Sequence, residues 1–412
     1  MHHALQVSIL KELIQQIDEN KNVDAGVQYK MPTSSYVCPD LAAKEWQTFF
    51  RNHPQLIGFS GDLAGPGHYF TIDDFGAPIL ATRDQNGKFH AFLNACRHRG
   101  ARVAEDKRGE KSLFVCPFHS WGYSSEGDLK AIPQMDHFGE IDKTCHGLVE
   151  LPSIERDGFL WVHPQPDGEL DIDTLLGPLS EELASGKFGD LVYCGESTID
   201  MKLNWKLAND TFGETYHFHK LHKNTLGQAF YGDHLAYEEI GQNHRFVFAR
   251  KSIDQLRELP EDQWLLAQGA TLVYYLFPNI QITVGLGRAT MVRIYPDPHN
   301  AAHSITRISH YFAQETIDRI NASAENDDIT LVTADNVFEK RTDLNITLTL
   351  DAMMAVFNDA IEKEDYVMGE SQQEAAASGL LKYSVFGRNE APLHHYHHTF
   401  RKALDMPPLR QL

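Results

Sequence analysis

The spacing of apolar positions changes along the chain and divides it into stretches of different character. In residues 5–20, "LQVSILKELIQQIDEN", apolar side chains recur at three- and four-residue intervals, which predicts an amphipathic helix lying on the larger domain or on a neighbouring subunit. From about Pro39 to Pro166 the apolar positions come in short runs, "HYFTIDD", "APILATRD", "KFHAFLNA" and "GFLWVHP", separated by glycine and proline turns. That pattern predicts a small β domain. An acidic linker, "QPDGELDIDTLLG", leads to further strand-like runs, "TLVYYLF", "NIQITVGLG", "ATMVRIYP" and "HSITRISHYF", which alternate well enough for an antiparallel sheet. Helical patterns at residues 206–222 and 344–376 are expected to cover one face of that sheet. The resulting division is 39–166 for the small β domain, with 1–38 and 167–412 forming the larger one.

Composition narrows the class. A chain of 412 residues exceeds the usual single-domain size, and 42% hydrophobic with 23% charged residues is ordinary for a globular protein with a real core. No run of 18 apolar residues and no basic segment leading into an apolar one appears, so neither a spanning helix nor a signal peptide is expected, and the cytoplasm is the default location. The formal charge of −20 argues against nucleic acid as a partner, because neutralising phosphates needs clustered Lys and Arg. Five widely spaced cysteines do not make a disulfide framework. Of these, Cys38, Cys145 and Cys194 are expected as buried small hydrophobes. The "LHHYHH" run, 393–398, reads as a surface helix or polar tract, and His2 and His3 carry no signal of their own.

The remaining cysteines sit in "CRHRGARVAEDKRGEKSLFVCPFHSWGY". Cys96-x-His98 and Cys116-x-x-His119 each follow a strand-like run and each run into turn residues. Two such loops can close on one metal centre. Thiolates suit zinc or an iron-sulfur cluster and imidazole suits either, so ligand type alone leaves a structural zinc site open. The surrounding residues go further: "CPFHSWGYSSEGDL" resembles the Rieske proteins, in which two Cys hold one iron of a [2Fe-2S] cluster and two His hold the other. Respiratory Rieske proteins add a cysteine to each ligand loop, whereas Ala101 and Phe118 stand here, as in the lower-potential centres of soluble oxygenases and ferredoxins.

A ferredoxin would need far less chain. In "NWKLANDTFGETYHFHKLH", 204–222, carboxylates and histidines crowd beside aromatic residues, and oxygen-activating non-haem iron uses two His and one carboxylate on one face. The stretch resembles the catalytic segment of the Rieske non-haem iron oxygenases, also called ring-hydroxylating oxygenases. The resemblance implies His217 and His222 as iron ligands and Glu214 as the acid that links His217 to cluster ligand His119 of a neighbouring subunit. On a regular helix His217 and His222 lie about 140° apart, so His219 competes with His217, or the segment is distorted. The third ligand implied by "FNDAIEKEDYVMGESQQ" is Asp365. An apolar stripe of Met353, Phe357, Ile361 and Met368 would instead centre nearer Glu364, the runner-up.

The resemblance implies an α+β chain: an all-β Rieske domain plus a helix-grip, START-like catalytic domain with an antiparallel sheet and covering helices. It also implies a terminal oxygenase that takes electrons from a reductase or ferredoxin, in a trimer or a multiple of it, with or without a β subunit. Neither a nicotinamide nor a flavin motif stands out, "GLGRAT" lying inside strand-like sequence. An aromatic substrate, with its place in aromatic compound catabolism, ranks first. Oxidative N- or O-demethylation of a quaternary ammonium compound or an aryl methyl ether is the alternative, with Tyr274, Tyr275 and Phe277 as candidate pocket rings. A Rieske electron carrier without catalysis and a zinc-stabilised binding protein complete the set.

Overall fold

The computed structural model describes residues 1–326, 329–335, 337 and 346–412. Residues 344 and 345, the start of the expected late helix, lie outside the described residues. The chain separates into two compact units. One comprises Glu45–Thr174 with Lys187–Val192, and the other Met1–Lys44, Leu175–Gly186 and Tyr193–Leu412.

The smaller unit is built almost wholly of short strands. A five-stranded antiparallel sheet runs in the order Glu150–Leu151, Phe89–Leu93, Ile79–Arg83, His68–Ile72, Arg108–Glu110. A second sheet joins Ser153–Arg156, Phe159–Val162 and Gln55–Phe59, and a third joins Leu113–Val115, Gly122–Ser124 and Leu129–Ala131. Strand-to-strand turns of this kind need residues at positive φ. Gly127, at φ +84°, has no room for a side chain, since a Cβ there would stand 2.4 Å from the Phe92 ring. Gly127→Ala therefore combines a left-handed backbone with a steric clash and should destabilise this unit by about 2–5 kcal/mol. Denaturant unfolding followed by circular dichroism checks it, and an unchanged midpoint would contradict it.

The larger unit holds a seven-stranded antiparallel sheet in the order Val192–Met201, Asn300–Phe312, Arg288–Asp297, Ile280–Gly285, Ala270–Leu276, Asn243–Arg250, Phe230–Ile240. The last four expected runs all fall on its strands. Val192–Met201, Phe230–Ile240 and Asn243–Arg250 are strands that the apolar pattern does not predict, because their polar and aromatic residues blur a two-residue period. The amphipathic N-terminal helix is His3–Glu19; it buries Ile9, Leu10 and Leu13 and meets the Phe230–Ile240 strand within this unit.

Several expectations need correction. Residues 206–222 are not one helix: Trp205–Asp210 is α-helical, capped by Asn204 Oδ1 accepting from the Lys206 N–H at 3.0 Å, and the chain then passes through turns and a 3₁₀ segment, Tyr216–His219. The acidic linker contains a helix, Ile172–Leu176, with Ile172 and Leu176 buried. Helix Ala391–Ala403, far from being a surface tract, buries His394, His395 and His397, the last to 2% exposure. Two of these histidines have partners that offset their burial: His397 bonds Asp210, and His395 bonds Gly241 O and His244. Cys145 is exposed, and Cys38 and Cys194 are only partly covered, so the buried-hydrophobe reading fails for Cys145.

Candidate metal centres

In the smaller unit the two ligand loops share one backbone design. Cys96 N–H donates to Ala101 O at 2.7 Å while Cys96 O accepts from Gly100 N–H at 2.8 Å; Cys116 N–H donates to Trp121 O and Cys116 O accepts from Ser120 N–H at 2.8 and 2.9 Å. Each loop turns at a positive-φ residue, Gly100 at +80° and Ser120 at +58°. Buried Asn94 clamps the first loop, its Oδ1 accepting from the Val103 and Ala104 N–H groups. The thiols of Cys96 and Cys116 are buried together in a core with Phe92, Phe114, Trp121 and Tyr123.

His98 and His119 lie as a second pair, ring centroids 4.6 Å apart, with His98 stacked on Trp121 and His119 exposed. Tyr123 Oη sits 3.3 Å from Cys96 Sγ and accepts from the Arg97 N–H at 2.9 Å. Burial pushes the Cys96 thiol up, and the neighbouring Cys116 adds to it, with Tyr123 opposing. A single zinc ion needs four donors converging on one point. Among the described residues the group whose donors converge within 4.8 Å lies elsewhere, so the pairing of two thiols and two imidazoles fits a two-iron cluster better.

That converging group is His217, His222 and Asp365 in the larger unit. His217 Nε2 and His222 Nε2 are 3.2 Å apart, and Asp365 Oδ1 stands 3.3 and 3.0 Å from them. The other nitrogen of each ring is already engaged, His217 Nδ1 by Glu214 Oε1 and His222 Nδ1 by Glu364 Oε2. Glu214 Oε2 also accepts from the His217 N–H at 3.1 Å, and Thr225 Oγ1 donates to Glu364 at 2.8 Å. With each Nδ1 proton donated outward, loss of the second ring proton leaves an Nε2 lone pair facing inward. Asp365 Oδ1 is buried with no hydrogen-bond partner. Three inward donors, one of them an orphaned buried oxygen, fit a cation bound by two imidazoles and a carboxylate.

The metal-free charges agree. Burial lowers the His217 imidazole, but Asp365 and Glu214 outweigh it and lift the group to about 10. His222 is raised by the same contest between burial and its carboxylates. Burial raises Asp365, yet the two imidazoles beside it hold it below the usual carboxylate value.

Helical phase is decided by one widened turn. Helix Leu350–Ala360 continues into a π-helical turn, Ile361–Asp365, before Tyr366–Ala377 resumes. The extra residue in that turn carries Asp365 onto the face of Met353, Phe357 and Ile361, leaving it 7% exposed, and turns Glu364 to the far side of His222. His219 points away, its Nε2 3.3 Å from Gly232 O on an exposed side chain.

The donors border a cavity of about 220 Å³. Phe218, Phe230, Phe246, Phe248 and Phe357 line much of it, with Arg250 and Arg288 among the polar groups. Strand register explains the wall: Phe246 and Thr283 flank Val273, and Phe248 lies beside Thr271, so every second residue faces inward. The expected pocket rings lie elsewhere. Tyr274 faces the other side and bonds Glu182, Tyr275 packs on Tyr396, and Phe277 on Phe400. Sequence reasoning misses the phenylalanines and the arginines; the signal that could have found them is the alternation in "RFVFAR", a strand the apolar pattern does not predict.

A thiol-imidazole cluster site and a two-histidine, one-carboxylate site on these two folds define a Rieske-type oxygenase chain. Residues 188–406 match the family described as ring hydroxylating alpha subunit (catalytic domain), and residues 53–153 match the Rieske [2Fe-2S] domain. The chain belongs to the ring-hydroxylating alpha-subunit family, whose cofactors are the Rieske cluster and mononuclear non-haem iron.

Among its relatives, the glycine betaine monooxygenase oxygenase subunit of Chromohalobacter salexigens is 32% identical over 48% of this chain and 44% of that one. The match thus spans about half of that relative's length. The carnitine monooxygenase oxygenase subunit of Acinetobacter baumannii is 24% identical over 74% of this chain and 81% of its own. By fold, the chain is similar to a quaternary ammonium Rieske monooxygenase solved with L-carnitine (TM-score 0.70, 18% identity, 92% of this chain and 96% of that one). It is equally similar to naphthalene 1,2-dioxygenase from Rhodococcus sp. bound to indole (TM-score 0.70, 16% identity, 98% of each). Among the described residues no helix is long and apolar enough to cross a membrane.

Proposed function

We propose that this chain is the terminal oxygenase of a multicomponent system. Cys96, His98, Cys116 and His119 hold the cluster, and His217, His222 and Asp365 hold the ferrous ion. When bound, the cluster stores reducing equivalents from a separate reductase or ferredoxin, and the iron supplies oxygen activation. The observation that carries this reading is the set of inward donors, each imidazole backed by a carboxylate, at the wall of an aromatic cavity.

The chain's own residues have distinct tasks. Glu214 and Glu364 fix the tautomer and orientation of His217 and His222 and make each ring a stronger donor. The phenylalanine wall keeps bulk water from the reacting carbon and offers π faces to a ring or to an N-methylated cation. One oxygen atom enters a substrate C–H bond and the other leaves as water, or both enter an aromatic ring.

A cleft of about 710 Å³ opens on the outer side of Glu214 and His217, bordered by Met368, Leu381 and Val385, all exposed and apolar. The second cluster loop carries its own exposed apolar side chains, Val115 and Phe118, beside His119. In our reading His119 of the partner subunit meets Glu214 at this cleft in a trimer or a multiple of it, giving electrons a hydrogen-bonded path to His217. The assembly works in the cytoplasm.

Two reactions share this site, aromatic hydroxylation and oxidative N-demethylation. The second is favoured by the betaine and carnitine monooxygenase relatives. The test is a single turnover of reduced, iron-loaded protein under isotopically labelled oxygen with a pool of aromatic acids, aryl ethers and N-methylated ammonium compounds. Formaldehyde with a demethylated product assigns demethylation, and label in a ring product assigns hydroxylation. No product from any compound, with both centres loaded and reduced, would refute the oxygenase reading.

A further inference from the structure

The cavity beside the iron donors contains cationic side chains that no acid among the described residues neutralises. Among the described residues, neither Arg250 nor Arg288 forms an ion pair, although both line the cavity and both are partly buried. Arg250 Nε donates to Thr271 Oγ1 at 2.9 Å, and its guanidinium lies 5.3 Å from the Phe230 ring centroid.

The strands bring the two groups together. Arg288 pairs with Gly285 in the antiparallel ladder, and a Cβ on Gly285 would lie 3.3 Å from Arg288 Nε and 3.6 Å from Arg250 Nη2. The missing side chain leaves both guanidinium groups over the same spot. Burial and the neighbouring Arg288 depress Arg250 to about 10, the sign expected of like charges short of a counterion.

Elsewhere in this unit buried arginines are paired: Arg245 meets Glu182 and Glu238, and Arg293 meets Glu196. Arg250 and Arg288, lining one cavity, have no such acid among the described residues. A planar carboxylate presents two acceptor oxygens that match guanidinium N–H groups.

We propose that Arg250 and Arg288 form a carboxylate-binding subsite. The substrate is then a small organic acid, held by its carboxylate at Gly285 with its reacting carbon toward His217, His222 and Asp365. This rests on the reading that the cavity is the oxygenase substrate site. It also sets a discrimination: a simple cation without an acid group meets a doubly positive wall, whereas an N-methylated amino acid places its ammonium against phenylalanine faces and its carboxylate on the arginines. An aromatic acid satisfies the same wall.

The test is calorimetric titration of the iron-loaded protein with matched pairs: glycine betaine and γ-trimethylaminobutyrate against their methyl esters, benzoate and anthranilate against their amides. Acetate and inorganic phosphate serve as general anions. At least one acid should bind about 10- to 100-fold more tightly than its ester or amide partner. Arg288→Gln and Arg250→Gln should each erase that preference with cluster and iron content intact, and Arg288→Lys should restore part of it.

Equal binding of acids and their ester or amide partners, or no acid binding in the parent protein, overturns the subsite. Acetate or phosphate binding as tightly as the full acids shows a general anion site and also overturns it. Should Arg288→Gln fail to fold, Arg250→Gln decides alone. Failure of the oxygenase reading has a different signature: acids bind in an arginine-dependent way, but reduced, oxygen-exposed protein yields no product.

Discussion

Asp365→Ala leaves the protein coloured by its cluster but without turnover, and total iron falls from about three to about two per chain. The orphaned, buried Oδ1 between the two Nε2 atoms is the reason, since no other carboxylate oxygen among the described residues reaches that point. His217→Ala and His222→Ala give the same result, whereas His219→Ala keeps most of its iron. Glu364→Ala separates the neighbouring acids: it strips the partner from His222 Nδ1 but leaves the donor set, so iron affinity drops only about 10- to 100-fold and excess iron restores turnover. Iron and acid-labile sulfide analysis, beside absorbance, reads all of these. Equal, unrescuable losses in Asp365→Ala and Glu364→Ala would contradict the geometry. Loading also depends on pH: protons must leave His217 and His222, both raised in the metal-free chain, so iron affinity falls as pH falls.

Glu214→Gln gives the second large effect, with a different signature. The amide retains a hydrogen bond to His217 but loses the charge that makes the ring a strong donor and, on our reading, the path from His119 of the partner subunit. Both centres remain loaded, yet steady-state turnover falls by about 100-fold or more, since a carboxylate behind a metal-bound imidazole is worth about 10- to 100-fold even without electron transfer. Rapid-mixing absorbance isolates the step. With the cluster chemically reduced and substrate and oxygen supplied, cluster reoxidation should slow in step with turnover. A variant whose cluster reoxidises at the parental rate would assign Glu214 to orientation of His217 alone. Glu214→Asp shortens the reach by one methylene and should retain a measurable fraction of the rate.

Much of the site is legible in the amino-acid sequence, because its chemistry is written in local spacing. Cys96-x-His98 and Cys116-x-x-His119 each lie on one loop, and Glu214, His217 and His222 lie within a single segment. Residue type and spacing mark the candidate donors, and the resemblance to the Rieske oxygenases groups them into two centres. Strand periods such as "KFHAFLNA" and "ATMVRIYP" are legible for the same reason: alternation records which face each side chain takes within one element.

What local order cannot decide is phase and long-range meeting. Whether Asp365 or Glu364 faces the histidines turns on one extra residue in the Ile361–Asp365 turn, and a regular helix drawn through the apolar stripe favours the wrong neighbour. The partner of His222 stands 142 residues away in the chain, and no periodicity encodes that contact. The helical reading of residues 206–222 fails because packing, not propensity, holds the turns after Asp210: a Cβ at Gly213 would stand 2.5 Å from Leu393. Arg250 and Arg288 belong to strands separated in sequence, and only their register around Gly285 makes them neighbours. Donor identity follows from side-chain chemistry, which the sequence carries directly. Which donors converge follows from the summed packing of distant elements, which exists only once the chain has folded.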